Sequence, residues 1–168
     1  ETPDHQTSSR ACKVVQIALA DDHEMYTEYG SVSAVEDHNM AVINDVETNY
    51  DFEFSDDLQF SIVEIYVATT ESEDPWTNST NINQVLNDFT DWGPTGFSNT
   101  HDVAGLWSAR QFNGDVIGLA WLNAVCTSVR YHVMEDWSSD ADMLRVLQAH
   151  EMGHNFGANH DAPGSPTI

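Results

Sequence analysis

The chain has 168 residues, of which 40% are hydrophobic, and this length is typical of one domain with a buried core. Its 28 acidic residues outnumber five basic ones, and the formal net charge of −23 argues against nucleic acid or an anionic membrane as a partner. No apolar run approaches the roughly 20 residues that span a bilayer. The acidic surface is expected to be solubilising, and Ca²⁺ binding stays an alternative that no EF-hand or nonapeptide motif supports.

The N-terminal half of the chain alternates predicted strands and helices. A β-branched run over 13–20 predicts a first buried strand, and apolar spacing predicts a helix over 33–48. Strand formers over 58–69 predict a second strand, and residues 81–92 predict a second short helix. The loop before that helix carries a sequon at Asn78, which matters if the producing cell glycosylates.

Three further strands are predicted before the last helix. Residues 102–110 and 114–122 predict a pair of strands around the tripeptide QFN, and the alternation over 127–136 predicts another, with Val129, Tyr131 and Val133 on one face. The order β-α-β-α-β-β-β-α predicts an α/β fold. Its sheet is expected to be twisted, five-stranded, mixed and mostly parallel, with helices packed on it.

The last helix is expected over about 139–157 and contains the densest chemistry of the chain. Ser138 and Ser139 are candidates for its N-terminal cap. Within the stretch HEMGHNFGANHD, His150 and His154 are four residues apart, so they lie on one helix face and can bind one ion at roughly 2.0–2.1 Å. Glu151 projects about 100° further round, where a general base stands beside an ion without binding it.

The third histidine makes the pattern specific. In a continuous helix His160 would lie about 9 Å along the axis from His154 and could not reach the same ion. Gly157 lies between them and can adopt the positive φ that ends a helix and turns the chain back. Three neutral imidazoles then leave one tetrahedral position open, as in a catalytic zinc site. The composition gives this spacing by chance about 6 times in 100,000.

The stretch HEMGHNFGANHD resembles the signature of the metzincin zinc endopeptidases. Asp161, directly after the third histidine, resembles the adamalysin/reprolysin branch, which includes the snake-venom metalloproteinases and the ADAM peptidases. IGLAWLNAVC at 117–126 and KVVQIALADDHEMYTEYG at 13–30 are similar to further parts of that branch. Most of 13–161 is therefore covered, strongly at the last helix and weakly before Val103.

The resemblance implies a zinc-dependent endopeptidase that hydrolyses peptide bonds of extended protein substrates. His150, His154 and His160 would bind Zn²⁺, and Glu151 would be the catalytic base. Substrates would pair antiparallel with a strand at the edge of the cleft. The residues expected in that strand are Val116, Ile117, Gly118, Leu119, Ala120 and Trp121. Localisation is expected to be extracellular, by secretion from a precursor with a signal peptide and a propeptide.

Two departures from the family pattern bear on domain organisation. Residues 1–157 are expected to form the upper subdomain of the catalytic domain, and 158–168 the start of a lower one whose Met-turn is absent from the sequence. A separate C-terminal piece could complete the domain. The alternatives are a zinc-binding module without turnover and a metzincin of another branch. Cys126 could pair with Cys12, pair with a downstream segment or be free.

The remaining histidines carry a weaker expectation. They lack metal-ligand spacing with one another and are expected to be surface or hydrogen-bonded side chains. They are His5, His23, His38, His101 and His132.

Overall fold

The structure, a computed structural model, describes residues 13–54 and 58–160. Its elements in chain order are β1 (Lys13–Asp21), α1 (His23–Tyr29), α2 (Val32–Phe54), β2 (Leu58–Val67), a 3₁₀ turn (Glu71–Glu73), α3 (Ile82–Gly96), β3 (Val103–Ser108), β4 (Gly118–Ala120), β5 (Tyr131–Glu135) and α4 (Ala141–Asn155). No helix within these ranges is both long and apolar enough to cross a membrane.

The strands form one sheet in the order β2-β1-β3-β5-β4. The first four are parallel, and β4 at the edge runs antiparallel to β5. The prediction of a mixed, mostly parallel, five-stranded sheet is confirmed. Because β4 pairs on one side with β5, its other side is a free edge of the sheet.

Helices cover both faces of the sheet, and alternate residues of β1 divide the core into two layers. Ile17 and Leu19 point into a cluster with apolar residues of α2 and α4, whereas Ala18 and Ala20 point into a cluster built on α3. The face that carries α4 therefore has a continuous apolar floor beneath the last helix. Leu144, Leu147 and Met152 anchor α4 in that floor.

The predicted pairing of residues 102–110 with 114–122 is wrong. Both edges of β3 are already used, since it lies between β1 and β5 in parallel registers. Residues 114–117 are not part of a strand, and β4 is the three-residue segment Gly118–Ala120, which pairs with β5 through Ala120 and His132. Phe112 N donates to Glu135 Oε2 at 2.9 Å, so the connection packs against the end of β5. Closeness in sequence suggested a hairpin, but the sheet places β5 between the two strands.

The last strand and the start of the last helix also differ from expectation. β5 begins at Tyr131 rather than at 127, and Val129 is an exposed loop residue off the face shared by Tyr131 and Val133. The prediction that Ser138 or Ser139 caps α4 is wrong. Asp140 is the N-cap of α4, and its Oδ1 accepts a hydrogen bond from Asp142 N at 3.1 Å.

Near the N-terminus the structure has one helix, α1, that is absent from the predicted order, and a second, α2, that is longer than predicted. The residue pattern alone did not predict α1, because seven residues are too few to show a helical period, whereas the family resemblance at 13–30 implied a helix that starts near Met25 and Tyr26. Asp22 caps α1 by accepting from Met25 N at 2.9 Å. α2 continues to Phe54 instead of ending at 48. Tyr50 donates its hydroxyl to Ala149 O of α4 at 3.1 Å, and this tertiary contact holds the extra turns.

Candidate metal centre

The end of α4 reverses the chain within a few residues. Gly157 has φ +100°, its N–H donates to His154 O, and Ala158 N–H donates to Gly153 O, both at 2.9 Å. These two bonds are those of a Schellman motif, which uses a left-handed residue to close a helix. His160 is thereby carried back to the helix face that bears His154.

The reversal brings three imidazoles together. The Nε2 atoms of His150, His154 and His160 lie 3.0 Å from one another, at the corners of an equilateral triangle. Three nitrogens that bind one zinc ion tetrahedrally at roughly 2.0–2.1 Å are separated by about 3.3 Å. The triangle therefore fits zinc with an adjustment of a few tenths of an ångström.

The protonation pattern of the histidines suits a metal. His154 Nδ1 lies 2.8 Å from Ala158 O, which can only accept, so Nδ1 carries the proton and Nε2 presents its lone pair. Burial, and then the charges of His154 and His160, lower the pKa of His150, which favours its neutral, metal-binding form.

Glu151 lies beside the triangle with a side chain that is almost removed from water. It is 3% exposed, and burial raises its pKa to about 7. Within the described residues its Oε2 has no hydrogen-bond partner. Its other oxygen packs against β4, where a Cβ at Gly118 would lie 2.4 Å from Oε1. A buried carboxylate oxygen without a partner is expensive in a purely structural role, and a reactant entering the cleft would satisfy it.

The triangle and Glu151 lie in a cleft of about 600 Å³ between β4 and α4. Five of the six residues predicted for a substrate strand line it, from Val116 to Ala120, but only three of these form the strand itself. Trp121 does not line the cleft, since its Nε1 donates to Thr90 Oγ1 of α3 at 2.9 Å. The walls are largely apolar and include exposed Leu122, Trp137, Met143 and Val146.

The segment after β4, the strand that lines the cleft (the cleft strand), also holds α4, the helix that bears the proposed ligands His150 and His154 (the ligand helix). Asn123 N donates to His154 O at 2.9 Å, and Ala124 N donates to Asn155 O at 2.7 Å. These bonds satisfy carbonyls at the C-terminal end of α4 that have no partner within the helix. The cleft strand and the ligand helix are therefore joined directly behind the site.

A buried polar group beneath α4 was not assigned to the site from the sequence. His132 on β5 is fully buried, and its ring nitrogens contact Gln148 and Asn155 of α4. The sequence carried a signal, because the alternation of β5 places His132 on the face opposite Tyr131 and Val133. Without a three-dimensional position for α4, that face could not be matched to a partner.

The acid after the third histidine and one of the two cysteines are not among the residues that the structure describes. Asp161 and Cys12 lie outside the described residues. Among the described residues Cys126 has no disulfide partner, and its thiol donates to Asp102 Oδ1 at 3.3 Å.

Comparisons with known proteins agree with this geometry. Residues 10–167 match the reprolysin model of Metallo-peptidase family M12. Zinc metalloproteinase recombinant fibrinogenase II of Deinagkistrodon acutus is 29% identical over 89% of this chain and 64% of its own length. Snake venom metalloproteinase atroxlysin-1 of Bothrops atrox is 31% identical over 95% of this chain and 76% of its own. A zinc metalloproteinase-disintegrin-like protein of Cerberus rynchops is 26% identical, and the match spans 25% of its length.

A solved chain is similar in fold. It comes from a structure described as a chaperone-substrate complex, with a TM-score of 0.70 and 17% identity, and the match covers 94% of this chain and 25% of that one. At this identity the likeness concerns the fold alone.

Proposed function

This chain belongs to the reprolysin-type metallopeptidases of family M12, and we propose that it is a zinc-dependent endopeptidase acting on extended protein substrates. The observation that carries the proposal is the triangle of three Nε2 atoms, 3.0 Å apart, beside the buried carboxylate of Glu151. Relatives named as zinc metalloproteinases support the same chemistry.

In this proposal the three histidines hold the metal and Glu151 moves protons. His150, His154 and His160 would bind zinc through Nε2. A bound zinc ion would lower the pKa of a water molecule towards ~7 and polarise a peptide carbonyl. Glu151 takes a proton from the attacking water and passes it to the leaving amine. Its place next to His150 on the helix keeps it near the reacting atoms without making it a ligand.

The free edge of β4 is the proposed binding site for the peptide backbone. A substrate segment would pair antiparallel with Gly118–Ala120, so main-chain hydrogen bonds would give affinity independent of sequence. The apolar walls of the cleft favour apolar substrate side chains next to the cleaved bond. The net charge of −23 disfavours strongly acidic substrates.

Domain organisation and localisation are also proposed. The turn at Gly157 after α4 is a natural boundary, so residues 1–157 would be the upper subdomain and 158–168 the beginning of a lower one. The chain spans 64% of one zinc metalloproteinase and 25% of another, so the activity of the whole protein is part of the proposal. Secretion is proposed because one relative is named as a snake venom protein.

The proposal is tested by measuring bound zinc and cleavage of an unfolded protein substrate for the wild type and Glu151→Ala. The wild type is expected to bind one zinc ion per chain and to cleave. Glu151→Ala should keep its zinc and lose about 10²- to 10⁴-fold in kcat. Asp142→Asn removes an acid from an exposed position of the same helix and should leave both properties unchanged.

The outcomes separate the two candidate functions. A wild type that holds zinc but does not cleave would favour a zinc-binding module without turnover. A wild type that binds no zinc would contradict both functions.

A further inference from the structure

One imidazole is enclosed between the sheet and the ligand helix. His132 is fully buried on β5, between β3 and β4. On the β3 side its neighbour is Gly105, where a Cβ would lie 2.5 Å from His132 Nε2. On the β4 side its register partner is Ala120. The absence of a side chain at position 105 thus leaves the space that the imidazole fills.

The hydrogen bonds of this imidazole have one consistent direction. Asn155 Nδ2 donates to Trp121 O at 2.9 Å and to Tyr131 O at 3.3 Å, which leaves Asn155 Oδ1 as an acceptor. His132 Nδ1, 2.7 Å from Asn155 Oδ1, must therefore be the donor. His132 Nε2 is then an acceptor, and it receives a hydrogen bond from Gln148 Nε2 at 2.9 Å.

The two partners on α4 bracket the proposed catalytic residues. Gln148 and Asn155 are seven residues apart, almost two helical turns, on the buried side of α4. His150, Glu151 and His154 lie between them in the sequence. Since Asn155 also binds the carbonyl of Trp121, the residue directly after β4, one network joins the ligand helix, β5 and the cleft strand.

We propose that His132 is a positioning residue that sets how α4 is rotated about its axis and how closely it packs against the cleft strand β4. The inference rests on the proposed zinc endopeptidase function. A neutral histidine buried among apolar residues costs more desolvation than an apolar side chain of similar size. Both ring nitrogens of His132 and the amide of Asn155 are hydrogen-bonded, and such directional bonds favour one arrangement, although Gln148 Oε1 has no partner among the described residues. The close contact of Glu151 with Gly118 leaves little room for a different position of α4. A small shift of α4 would move the proposed base and the proposed ligands on this helix together.

The variants His132→Leu and Gln148→Leu, in the full chain, test this role. His132→Leu removes both hydrogen bonds of the imidazole, and Gln148→Leu removes one of them, each at similar volume. The rate of zinc release to a chelator should rise about 10-fold in each, and kcat should fall about 10- to 100-fold with KM within about 2-fold. The double variant should be no worse than the more affected single one, because both act through one connection.

The matched control is Val133→Ala. Val133 is the next residue on β5 and is fully buried, but it packs in the cluster on the α3 side of the sheet. This variant lowers stability through a cavity and leaves the network intact. Its zinc release rate and kcat should remain those of the wild type at a temperature where it is folded.

The outcomes are distinct. If zinc release and kcat in both leucine variants equal those of the wild type, or if Val133→Ala alters them equally at matched stability, the positioning role is wrong while the zinc endopeptidase function stands. If the wild type itself binds no zinc, the proposed function has failed and the positioning role fails with it. Where His132→Leu does not fold, Gln148→Leu decides by the same measurements.

Discussion

The carboxylate of Glu151 and the backbone of Gly118 are in direct contact across the cleft, so that a Cβ at position 118 would lie 2.4 Å from Glu151 Oε1 and 2.8 Å from its Cδ. No real side chain tolerates that approach, and something must shift. The flexible partner is Glu151, because Gly118 is held in β4 by its pairing with β5. The residue at 118 therefore controls where the proposed base can lie.

Gly118→Ala is expected to displace Glu151 and to lower kcat by about 100-fold, the scale of effect that a misplacement of about 1 Å produces. The amount of bound zinc should not change, because the substitution does not touch the histidine triangle. Gly153→Ala is the control, since a Cβ there meets its nearest atoms at 3.9 Å. Equal kcat in wild type and Gly118→Ala would mean that the carboxylate does not need this position.

Gly157→Ala is expected to destabilise the protein by about 1–2 kcal/mol, because φ +100° is strained for any residue with a Cβ. Zinc affinity should fall as well, since the turn delivers His160 to the other ligands. Gly153→Ala lies within the regular part of the same helix and should instead gain about 0.5–1 kcal/mol. Denaturant unfolding and a zinc titration measure both effects, and a Gly157→Ala variant as stable as Gly153→Ala would contradict the strain.

The stability of the protein should depend on pH through His132. Burial lowers the pKa of this imidazole to about 4 in the folded protein, whereas the unfolded chain titrates near the ordinary 6.5. The folded state therefore binds fewer protons between these values. The contribution of His132 is full above pH ~6.5 and is lost as the pH falls towards ~4, by about 3 kcal/mol in total.

The comparison of wild type with His132→Leu isolates this effect. Asp22, whose pKa burial raises to about 6, contributes with the opposite sign, and its effect cancels because it is present in both proteins. The difference in free energy of unfolding should shift by about 3 kcal/mol between pH 7 and pH 4. A difference that is constant with pH would show that burial does not shift the pKa of His132 from its value in the unfolded chain.

Replacing Arg110 is expected to lower the free energy of unfolding more than replacing Arg145, although both side chains form ion pairs. Its guanidinium lies 2.6 Å from Asp74 and 3.0 Å from Glu24, and both Arg110 and Asp74 have almost fully buried side chains. Arg110→Met leaves buried acids without their counter-charge and should cost about 3–5 kcal/mol. Arg145→Met removes an i,i+3 pair with an exposed acid and should cost less than about 1 kcal/mol. Similar losses in thermal or denaturant unfolding would be inconsistent with this difference in burial.

Several features could be predicted because they depend on near neighbours in the chain. The run at 13–20 is rich in β-branched residues, and it forms β1, an interior strand of the sheet. The four-residue spacing of His150 and His154 needs only a helix to place both imidazoles on one face. The need for a left-handed residue between His154 and His160 follows from the rise of a helix, and Gly157 has that conformation.

Other features depend on contacts between distant segments. Whether the segment after β3 pairs with β3 or with β5 is decided by which sheet edge is free, and β3 has none. The extra turns of α2 are held by Tyr50 against α4. The choice of Asp140 over the two preceding serines as the cap of α4 turns on which side chain reaches an unpaired N–H.

The sequence by itself therefore determined which three histidines come together and which acid lies beside them, because the geometry of a helix and its closing turn converts spacing into direction. Only the tertiary structure decided the setting of that helix against the cleft, through the contact of Glu151 with Gly118 and the bonds of His132 to Gln148 and Asn155. These are contacts between segments far apart in the sequence. They form when strand order and packing bring α4 against β4 and β5, and the local sequence pattern does not specify which segments come into contact.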